Sequence, residues 1–210
     1  MLSRNNVYIS GMKIDTNIFK IESNNILPSR GRTLISEPFL QDKTFGRSVI
    51  LLVEHSSDGS MGLVMNKRKP YPIFLNRIVK ELVGLEQDIP IFEGGPMGTD
   101  TLFYLHTIED ISGALPIKKG LFLNGDFSSV KRYLLEGNPV TGVIRFFLGY
   151  SGWEGRQLEA EIESNSWMIG NADIKNLLTG KVDMMWKQSM KNLGTKYSAW
   201  SRFPLIPSMN

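Results

Sequence analysis

Apolar residues along the chain fall into short runs, separated by polar turns, that predict the strands of a sheet. The densest run covers residues 48–54 and is rich in β-branched residues, which is typical of a strand covered on both faces. A polar segment, residues 56–60, follows it, and Asp58-Gly59 within it is a strong hairpin signal. Residues 61–65 are apolar again. We therefore expect a β-hairpin over residues 48–65, around which the rest of the chain is organised.

Other apolar runs and periodicities predict the remaining elements. Short runs predict strands at residues 31–36, 89–92, 101–106, 121–124, 142–148 and 166–169. Helical spacing predicts helices at residues 73–83, 126–137, 157–164 and 183–193, the last of which we expect to be the final helix, and Asp173 is expected to cap a further short helix. Residues 149–153 are expected to form a loop after a strand.

The arrangement of these elements indicates the fold class. Strands and helices interleave, but several strand pairs are joined too tightly for helical crossovers. We expect an α/β protein leaning to α+β, with one domain and a mixed, largely antiparallel β-sheet flanked by helices. The domain is expected over residues 27–210. The Asn-rich residues 1–26 are expected to form an arm or a short helix, because Ile14, Ile18 and Ile21 have helical spacing.

The amino-acid composition excludes cysteine chemistry and gives no sign of a membrane protein. The chain has 210 residues, 41% of them hydrophobic and 21% charged, with a formal net charge of +3. It has no cysteine, which excludes disulfides, thiolate nucleophiles and cysteine zinc sites and suits a reducing compartment. Its first residues lack a signal-peptide core, and no apolar run approaches the ~18 residues that span a membrane. We expect a cytoplasmic protein without a membrane partner.

The two histidines are the first candidates for chemistry. His55 and His106 each fall at the end of a predicted strand. If those strand ends meet, the histidines could form a site with Glu54, Asp58 or Glu93. The alternative is that each is a structural histidine hydrogen-bonded to the backbone. Without a clustered motif such as H-E-x-x-H, the sequence assigns no metal ligand.

Two glycine-containing segments are further candidates. Gly94-Gly95-Pro96 follows a strand, where glycines would let backbone N–H groups approach an anion, but a tight turn locked by Pro96 is the preferred explanation. The segment lacks the Lys-Ser/Thr of a P-loop. In residues 149–153, Ser151 lacks the G-x-S-x-G spacing of a nucleophile elbow. The sequence therefore assigns no catalytic residue and no cofactor, and its tryptophans are expected to be core or interface anchors.

A series of motifs, in order, resembles the YqgE/AlgH family of small bacterial proteins. The series begins with Asp42, Phe45, Arg47, Ser48 and Val49 and continues with Glu54-His55, Gly59, Gly62-Leu63-Val64, Asn66, Gly94-Gly95-Pro96, Leu105-His106, Gly149-Tyr150, Gly152-Trp153, Gln157-Leu158-Glu159, Glu161, Trp167, Trp186 and Leu193-Gly194. Between Trp153 and Gln157 the family has a Gly/Pro-rich link, where this chain has Glu154-Gly155-Arg156. The resemblance covers the chain from about Gly31 onwards.

The resemblance implies a cytoplasmic, single-domain α/β protein and supplies no established reaction. Some members of the family carry a transcriptional-regulator label. This sequence has no helix-turn-helix pattern and no basic recognition helix that would support direct readout of DNA.

Three functional hypotheses follow, in order of preference. The first is a non-enzymatic binding or regulatory protein whose strand-end surface holds a small ligand or a protein partner. That surface would comprise Arg47, His55, Asn66, Gly94, Gly95, Pro96, His106, Tyr150, Gly152 and Trp153. The second is an enzyme that uses His55 or His106 as acid/base or metal ligand. The third is weak direct contact with nucleic acid through Lys67–Lys69. The sequence does not define an oligomeric state.

Overall fold

The structure is a computed structural model that describes residues 7–9 and 12–14 by their backbone and residues 20–204 in full. Within these ranges the strands are β1 (Val7–Ile9), β2 (Met12–Ile14), β3 (Arg32–Ser36), β4 (Val49–Ser56), β5 (Gly59–Val64), β6 (Arg68–Phe74), β7 (Pro90–Glu93), β8 (Met97–His106), β9 (Leu115–Lys118), β10 (Leu121–Leu123), β11 (Ile144–Glu154) and β12 (Trp167–Asn171). The helices are α1 (Leu75–Ile78), α2 (Phe127–Leu135), α3 (Gln157–Glu163), α4 (Ile174–Thr179), α5 (Val182–Asn192) and α6 (Thr195–Trp200), and a 3-10 helix, Lys80–Leu82, follows α1.

Ten of the strands form one large sheet. Its main order is β12-β3-β4-β5-β11-β8-β10-β9, and β6 joins through β7, which lies beside β11. β7 and β11 are parallel, whereas the other pairs in this sheet are antiparallel. β1 and β2 form a separate two-stranded sheet. The molecule is therefore an α+β protein with a mixed, largely antiparallel sheet, which confirms the expected fold class.

Helices cover both faces of the large sheet. On one face, Leu51 and Leu63 of the central hairpin pack in a cluster with Met185, Trp186 and Trp200 of α5 and α6. The opposite face carries two clusters, one beneath α3 and one beneath α1 and α2. Each fully buried leucine or isoleucine side chain stabilises the fold by roughly 1.5–3 kcal/mol. The four tryptophans are all buried, as expected of core anchors.

β11 is the strand on which the sheet is centred. One of its edges pairs with β8. Its other edge pairs first with β7, at residues 146–148, and then with β5, at residues 151–154. The turn at Gly94 and Gly95 fills the junction between those two neighbours. The Gly94 N–H donates to the Leu148 carbonyl (2.9 Å), and the Gly94 carbonyl accepts from the Val64 N–H (2.8 Å). The two glycines thus connect β5, β7 and β11.

Several predicted elements are confirmed, including the hairpin of β4 and β5. Asp126 caps α2 by accepting from the N–H groups of Ser128 and Ser129, and Asp173 caps α4 by accepting from the Lys175 N–H. These carboxylates satisfy N–H groups that lack partners within the first turn of a helix. Local sequence therefore determines both helix starts.

The helix predicted over residues 73–83 is wrong. Residues 73 and 74 belong to β6, and the rest forms only α1 and the 3-10 helix, separated by Val79 in an extended conformation. The buried Asn76 side chain donates to the Leu85 carbonyl and accepts from the Ile89 N–H. These non-local hydrogen bonds fold the segment back on itself, which a local periodicity does not reveal.

Two other predictions also need correction. Residues 149–153 are not a loop, because β11 continues through them to pair with β5. The helix predicted over residues 183–193 is not the last, because α6 follows it after Gly194. In addition, strands β6 and β9 and the pair formed by β1 and β2 were not predicted.

The N-terminal region is described only in part. Ile14 ends β2, and residues 15–19, which would form most of the predicted short helix, lie outside the described residues. Asn24 pairs with the edge strand β12 through its amide, which accepts from the Ile169 N–H and donates to the Ile169 carbonyl. The boundary near residue 26 stays a prediction. Among the described residues, no helix is both long and apolar enough to cross a membrane.

The packing of Gly94 generates a stability prediction. A Cβ atom at Gly94 would overlap the carbonyl oxygen of Gly149, whereas a Cβ at Gly84 would meet no atom within 4 Å. We expect Gly94→Ala to lower the free energy of unfolding by about 1–3 kcal/mol or more, because backbone must move to admit the methyl group. Chemical denaturation measures this change. Gly84→Ala is the matched control and should have little effect; equal stabilities for the two variants would contradict the predicted overlap.

Candidate functional site

The structure separates the two histidines. On β5, Ser60 pairs with both His55 and Trp153, whereas His106 pairs with Ile144 at the other end of β11. Positions 144 and 153 of that strand are nine residues apart, which corresponds to ~30 Å at the usual strand rise. A shared site of the two histidines is therefore excluded.

His55 lies in a small polar group at the tip of the central hairpin. Its Nδ1 is 2.8 Å from Oγ of Ser60, and its Nε2 is 3.9 Å from Oε1 of Glu159 on α3. The Ser60 hydroxyl is almost fully buried between its neighbouring strands. The group ties the hairpin to α3.

His106 is fully buried on the face of the sheet covered by α2. Its Nε2 is 2.8 Å from the Asn124 carbonyl oxygen, and its ring stacks on Phe122 with the centroids 5.7 Å apart. Burial disfavours the charged imidazolium and lowers the pKa of His106, against the opposing effect of the bond to Asn124. This is the environment of a structural histidine.

The remaining glycine and aromatic candidates also serve the sheet. Gly95 (φ 154°) lies so close to β11 that a Cβ would overlap Tyr150, and Pro96 follows it into β8. A Cβ at Gly152 would lie 2.9 Å from Sδ of Met97. The Tyr150 ring packs edge-on against Phe103, with centroids 5.8 Å apart. These residues maintain the junction of β8 and β11.

Trp153 belongs to a buried aromatic cluster beneath α3. Its indole N–H donates to Oε2 of Glu161 (3.0 Å), and the indole of Trp167 donates to the same oxygen (2.7 Å). The ring of Phe45 packs against both indoles. One carboxylate thus satisfies two buried donors, which assigns Trp153 and Glu161 to the core of the protein.

Two of the predicted site residues, Arg47 and Asn66, do come together, at a cleft between the start of β6 and α5. We call this the outer cleft; it has a volume of about 360 Å³. It is lined by four cationic side chains, one acidic side chain and three others: Arg47, Lys67, Arg68, Lys187, Asp183, Asn66, Val182 and Trp186.

Local hydrogen bonds hold Arg47 at this cleft. The carboxylate of Asp42 accepts from the backbone N–H groups of Thr44 and Phe45 and so shapes the loop that ends at Arg47, whose backbone is left-handed (φ 53°). Asn66 accepts from the Val49 N–H and donates to the Arg47 carbonyl. The position of Arg47 is therefore fixed by its own loop and by the end of the central hairpin.

The Arg47 side chain is held but not neutralised. Its guanidinium lies 5.0 Å from the centre of the Trp186 ring, and its Nη2 donates to the Phe203 carbonyl (2.5 Å). Its Nε is buried and has no hydrogen-bond partner in the described ranges. Within the described part of the chain, no Asp or Glu oxygen lies within 4.0 Å of the charged nitrogens of Arg47, Lys67 or Arg68.

A second depression adjoins the first and shares Arg68 and Val182 with it. We call this the inner cleft; it has a volume of about 310 Å³ and includes Phe92, Arg145 and Lys181 in its lining. Arg145 lies on β11 and is only 4% exposed. Its Nη1 donates to the Leu177 carbonyl (2.7 Å), while Nε and Nη2 have no hydrogen-bond partner among residues 20–204. The inner cleft therefore contains a buried cation without a counter-charge from residues 20–204.

The pKa shifts reflect this arrangement. Burial, and then the positive charge of Arg68, lower the pKa of Arg145 to about 10. Burial lowers the pKa of Arg47 and of Lys67, in the latter case against the opposing charges of Glu93 and Asp42. Desolvation destabilises each cation, and a bound anion would compensate it. A bound anion in either cleft would therefore favour the charged forms of these side chains.

Arg145 and Lys187 were not predicted from the sequence, and Arg68 was named only as part of the basic cluster Lys67–Lys69. A signal for Arg145 was present, because it is the one charged residue in the apolar run 142–148. A charged residue in such a run is buried when the run forms a central strand, and it then needs a partner. Lys187 carried no comparable signal. No three His, Asp or Glu side chains gather as a metal site would require in the described ranges.

Comparison with known proteins places the chain in a family. The family model described as AlgH-like matches residues 33–198. The chain belongs to the AlgH-like family. A UPF0301 protein of Bacteroides thetaiotaomicron is 57% identical over 199 residues, covering 95% of this chain and all of the relative. A UPF0301 protein of Bacteroides fragilis is 58% identical over the same length and with the same coverage.

Two solved structures share the fold. The solution structure of AlgH from Pseudomonas aeruginosa has a TM-score of 0.64 at 25% identity, covering 85% of this chain and 98% of AlgH. A crystal structure of a Corynebacterium diphtheriae protein has a TM-score of 0.70 at 23% identity, covering 91% of this chain and all of that one. The family resemblance inferred from the ordered motifs is confirmed.

The buried His106 generates a pH prediction. Because its folded-state pKa lies below 6.5, the unfolded chain binds the proton first as the pH falls. At pH values below about 6.5 we therefore expect the free energy of unfolding to decrease. The contribution of His106 to this decrease should level off once the pH is below its folded-state pKa. Denaturation at several pH values, with NMR titration of the ring, measures both effects.

The control is a variant without this group. In His106→Gln the pH dependence of the free energy of unfolding should be weaker than in the wild-type protein. A His106 pKa at or above 6.5 would contradict the structural assignment.

Proposed function

We propose that this AlgH-like protein is a non-enzymatic, cytoplasmic binding or regulatory protein that holds a small anionic ligand in the outer cleft. The observation that carries the proposal is the convergence of Arg47, Lys67, Arg68 and Lys187 on a space with one acidic side chain, Asp183. None of the four forms an ion pair within the described part of the chain.

The fixed positions of the Arg47 and Lys67 side chains support an anionic ligand. Arg47 is held between the Trp186 ring and the Phe203 carbonyl, so its guanidinium is oriented before any ligand arrives. Lys67 donates to the Gly46 carbonyl (2.7 Å) and is partly buried, which places its charge at the cleft wall. Donors that are already fixed in position lose little entropy on binding, and charge-assisted hydrogen bonds to oxyanions are strong.

The size of the cleft supports a small molecule as ligand. A volume of about 360 Å³ lies at the lower end of the range for small-molecule sites. A regulatory role would follow if the ligand changed the contact of Arg47 with Phe203, which joins the cleft to the segment after α6. The family label of transcriptional regulator is compatible with such an indirect role.

An enzymatic role is the second candidate, and one observation favours it. The Ser60 hydroxyl, the His55 imidazole and the Glu159 carboxylate lie in a row. The hydrogen bond between Ser60 and His55 is the contact that a general base needs, but Ser60 is only 7% exposed. This leaves little room for a substrate, so acid/base chemistry at His55 has less support than binding at the outer cleft.

Direct contact with nucleic acid has the least support. Lys67 donates to a backbone carbonyl at the cleft, so Lys67–Lys69 do not project together as one basic patch. Nucleic-acid binding relies on cations that reach several phosphates at once.

The proposal is tested by replacing Arg47. We expect pyrophosphate or citrate to bind the wild-type protein and Arg47→Gln to weaken that binding about tenfold or more, because a charge-assisted contact is worth roughly 1.5–3 kcal/mol. Isothermal titration calorimetry at constant ionic strength measures the affinity. Arg30→Gln removes an exposed arginine that lines neither cleft and is the matched control. Equal affinity of Arg47→Gln and Arg30→Gln, or no binding of either anion by the wild-type protein, would contradict the proposal.

A further inference from the structure

We infer that the inner cleft is a phosphate subsite, anchored by Arg145 beside the N-terminus of α5, and that the ligand of this protein carries a phosphate group. The inference deepens the proposed function and rests on it for the rest of the ligand, because the inner and outer clefts share Arg68 and Val182. Three independent features of the inner cleft carry it.

The first feature is the incomplete hydrogen bonding of Arg145. The guanidinium is held by one bond to the Leu177 carbonyl and lies 4.0 Å from the centre of the Phe92 ring. Aromatic contact fixes the plane of the group but provides no acceptor for its N–H donors. Nε and Nη2 are buried, and no group in the described part of the chain accepts a hydrogen bond from them. Two N–H groups on one side of a fixed guanidinium match two oxygens of a phosphate or carboxylate.

The second feature is the uncapped start of α5. This helix has eleven residues, and its N-cap position is Lys181, whose side chain accepts no hydrogen bond from the first turn. Val182, the first residue of the helix, lines both clefts. Free backbone N–H groups and the positive end of the helix dipole make a helix N-terminus suitable for an anion. Asp183, in the same first turn, lines the outer cleft and not the inner one.

The third feature is the charge balance, which favours a dianion over a carboxylate. The lining of the inner cleft includes Arg68, Arg145 and Lys181. Its one acidic side chain, Asp88, is already paired with Arg77 at 3.0 Å. A phosphate monoester carries close to two negative charges at neutral pH. It therefore suits this excess of positive charge better than a single carboxylate does.

The experiment measures the thermal stability of the full chain in inorganic phosphate and in chloride at matched ionic strength. We expect phosphate to raise the melting temperature of the wild-type protein, because a ligand that binds only the folded state stabilises it. Arg145→Met should lose this gain. In chloride the variant should be at least as stable as the wild-type protein, since replacing a buried, unpaired charge with an apolar group removes a destabilising feature. Arg30→Gln should keep the full gain.

A second measurement keeps the inference testable if Arg145→Met does not fold. Phosphate titration of the wild-type protein, followed by amide NMR, should shift the signals of Gly180, Lys181 and Val182 in a saturable way. Chloride at the same ionic strength should not shift them. Phosphate shifts confined to residues outside the inner cleft would overturn the inference.

The outcomes also separate this inference from the proposed function. If phosphate stabilises Arg145→Met as much as the wild-type protein, or stabilises neither, the phosphate subsite is overturned. The outer cleft would still be supported if pyrophosphate or citrate binding depended on Arg47. If the phosphate gain depends on Arg145 while Arg47→Gln binds pyrophosphate and citrate normally, the inner subsite is supported and the outer cleft is not.

Discussion

The close approach of two backbone segments, the Gly94-Gly95 turn and the middle of β11, is the constraint on which the sheet depends. Because β11 changes partner from β7 to β5 along one edge, the turn must fit into the gap between those strands. A side chain at Gly94 or Gly95 would overlap the backbone of β11. Glycines that resemble an anion-binding loop in the sequence are therefore explained by packing within the sheet.

The same strand connects the fold to the candidate site. β11 carries Trp153 at one end, within the aromatic cluster beneath α3, and Arg145 at the other, facing α4 and α5. The buried indole N–H of Trp153 has a partner in Glu161, whereas two donors of Arg145 have none among residues 20–204. Removing a charge from water costs several kcal/mol unless a partner offsets it. A ligand that supplied the missing negative charge would offset this cost.

Sequence predicted the elements whose signals are local and missed those that depend on distant contacts. Alternation and turn chemistry predicted the β4–β5 hairpin, and carboxylates at helix starts predicted α2 and α4. The helix over residues 73–83 failed because Asn76 binds backbone groups of a later loop. Among the residues that line the outer cleft, Arg47 and Asn66 were named as site candidates from the sequence. The separation of His55 from His106 and the meeting of Arg47 with Lys187 depend on strand order, which periodicity does not contain.

A crystal structure of the protein grown in inorganic phosphate at neutral pH would test most directly whether a phosphate group binds Arg145 and balances its buried positive charge. We expect tetrahedral density in the inner cleft, with oxygens within hydrogen-bond distance of Nε or Nη2 of Arg145 and of the first N–H groups of α5. Density for water alone in a well-ordered inner cleft, with the Arg145 nitrogens bonded to protein groups or water, would contradict it.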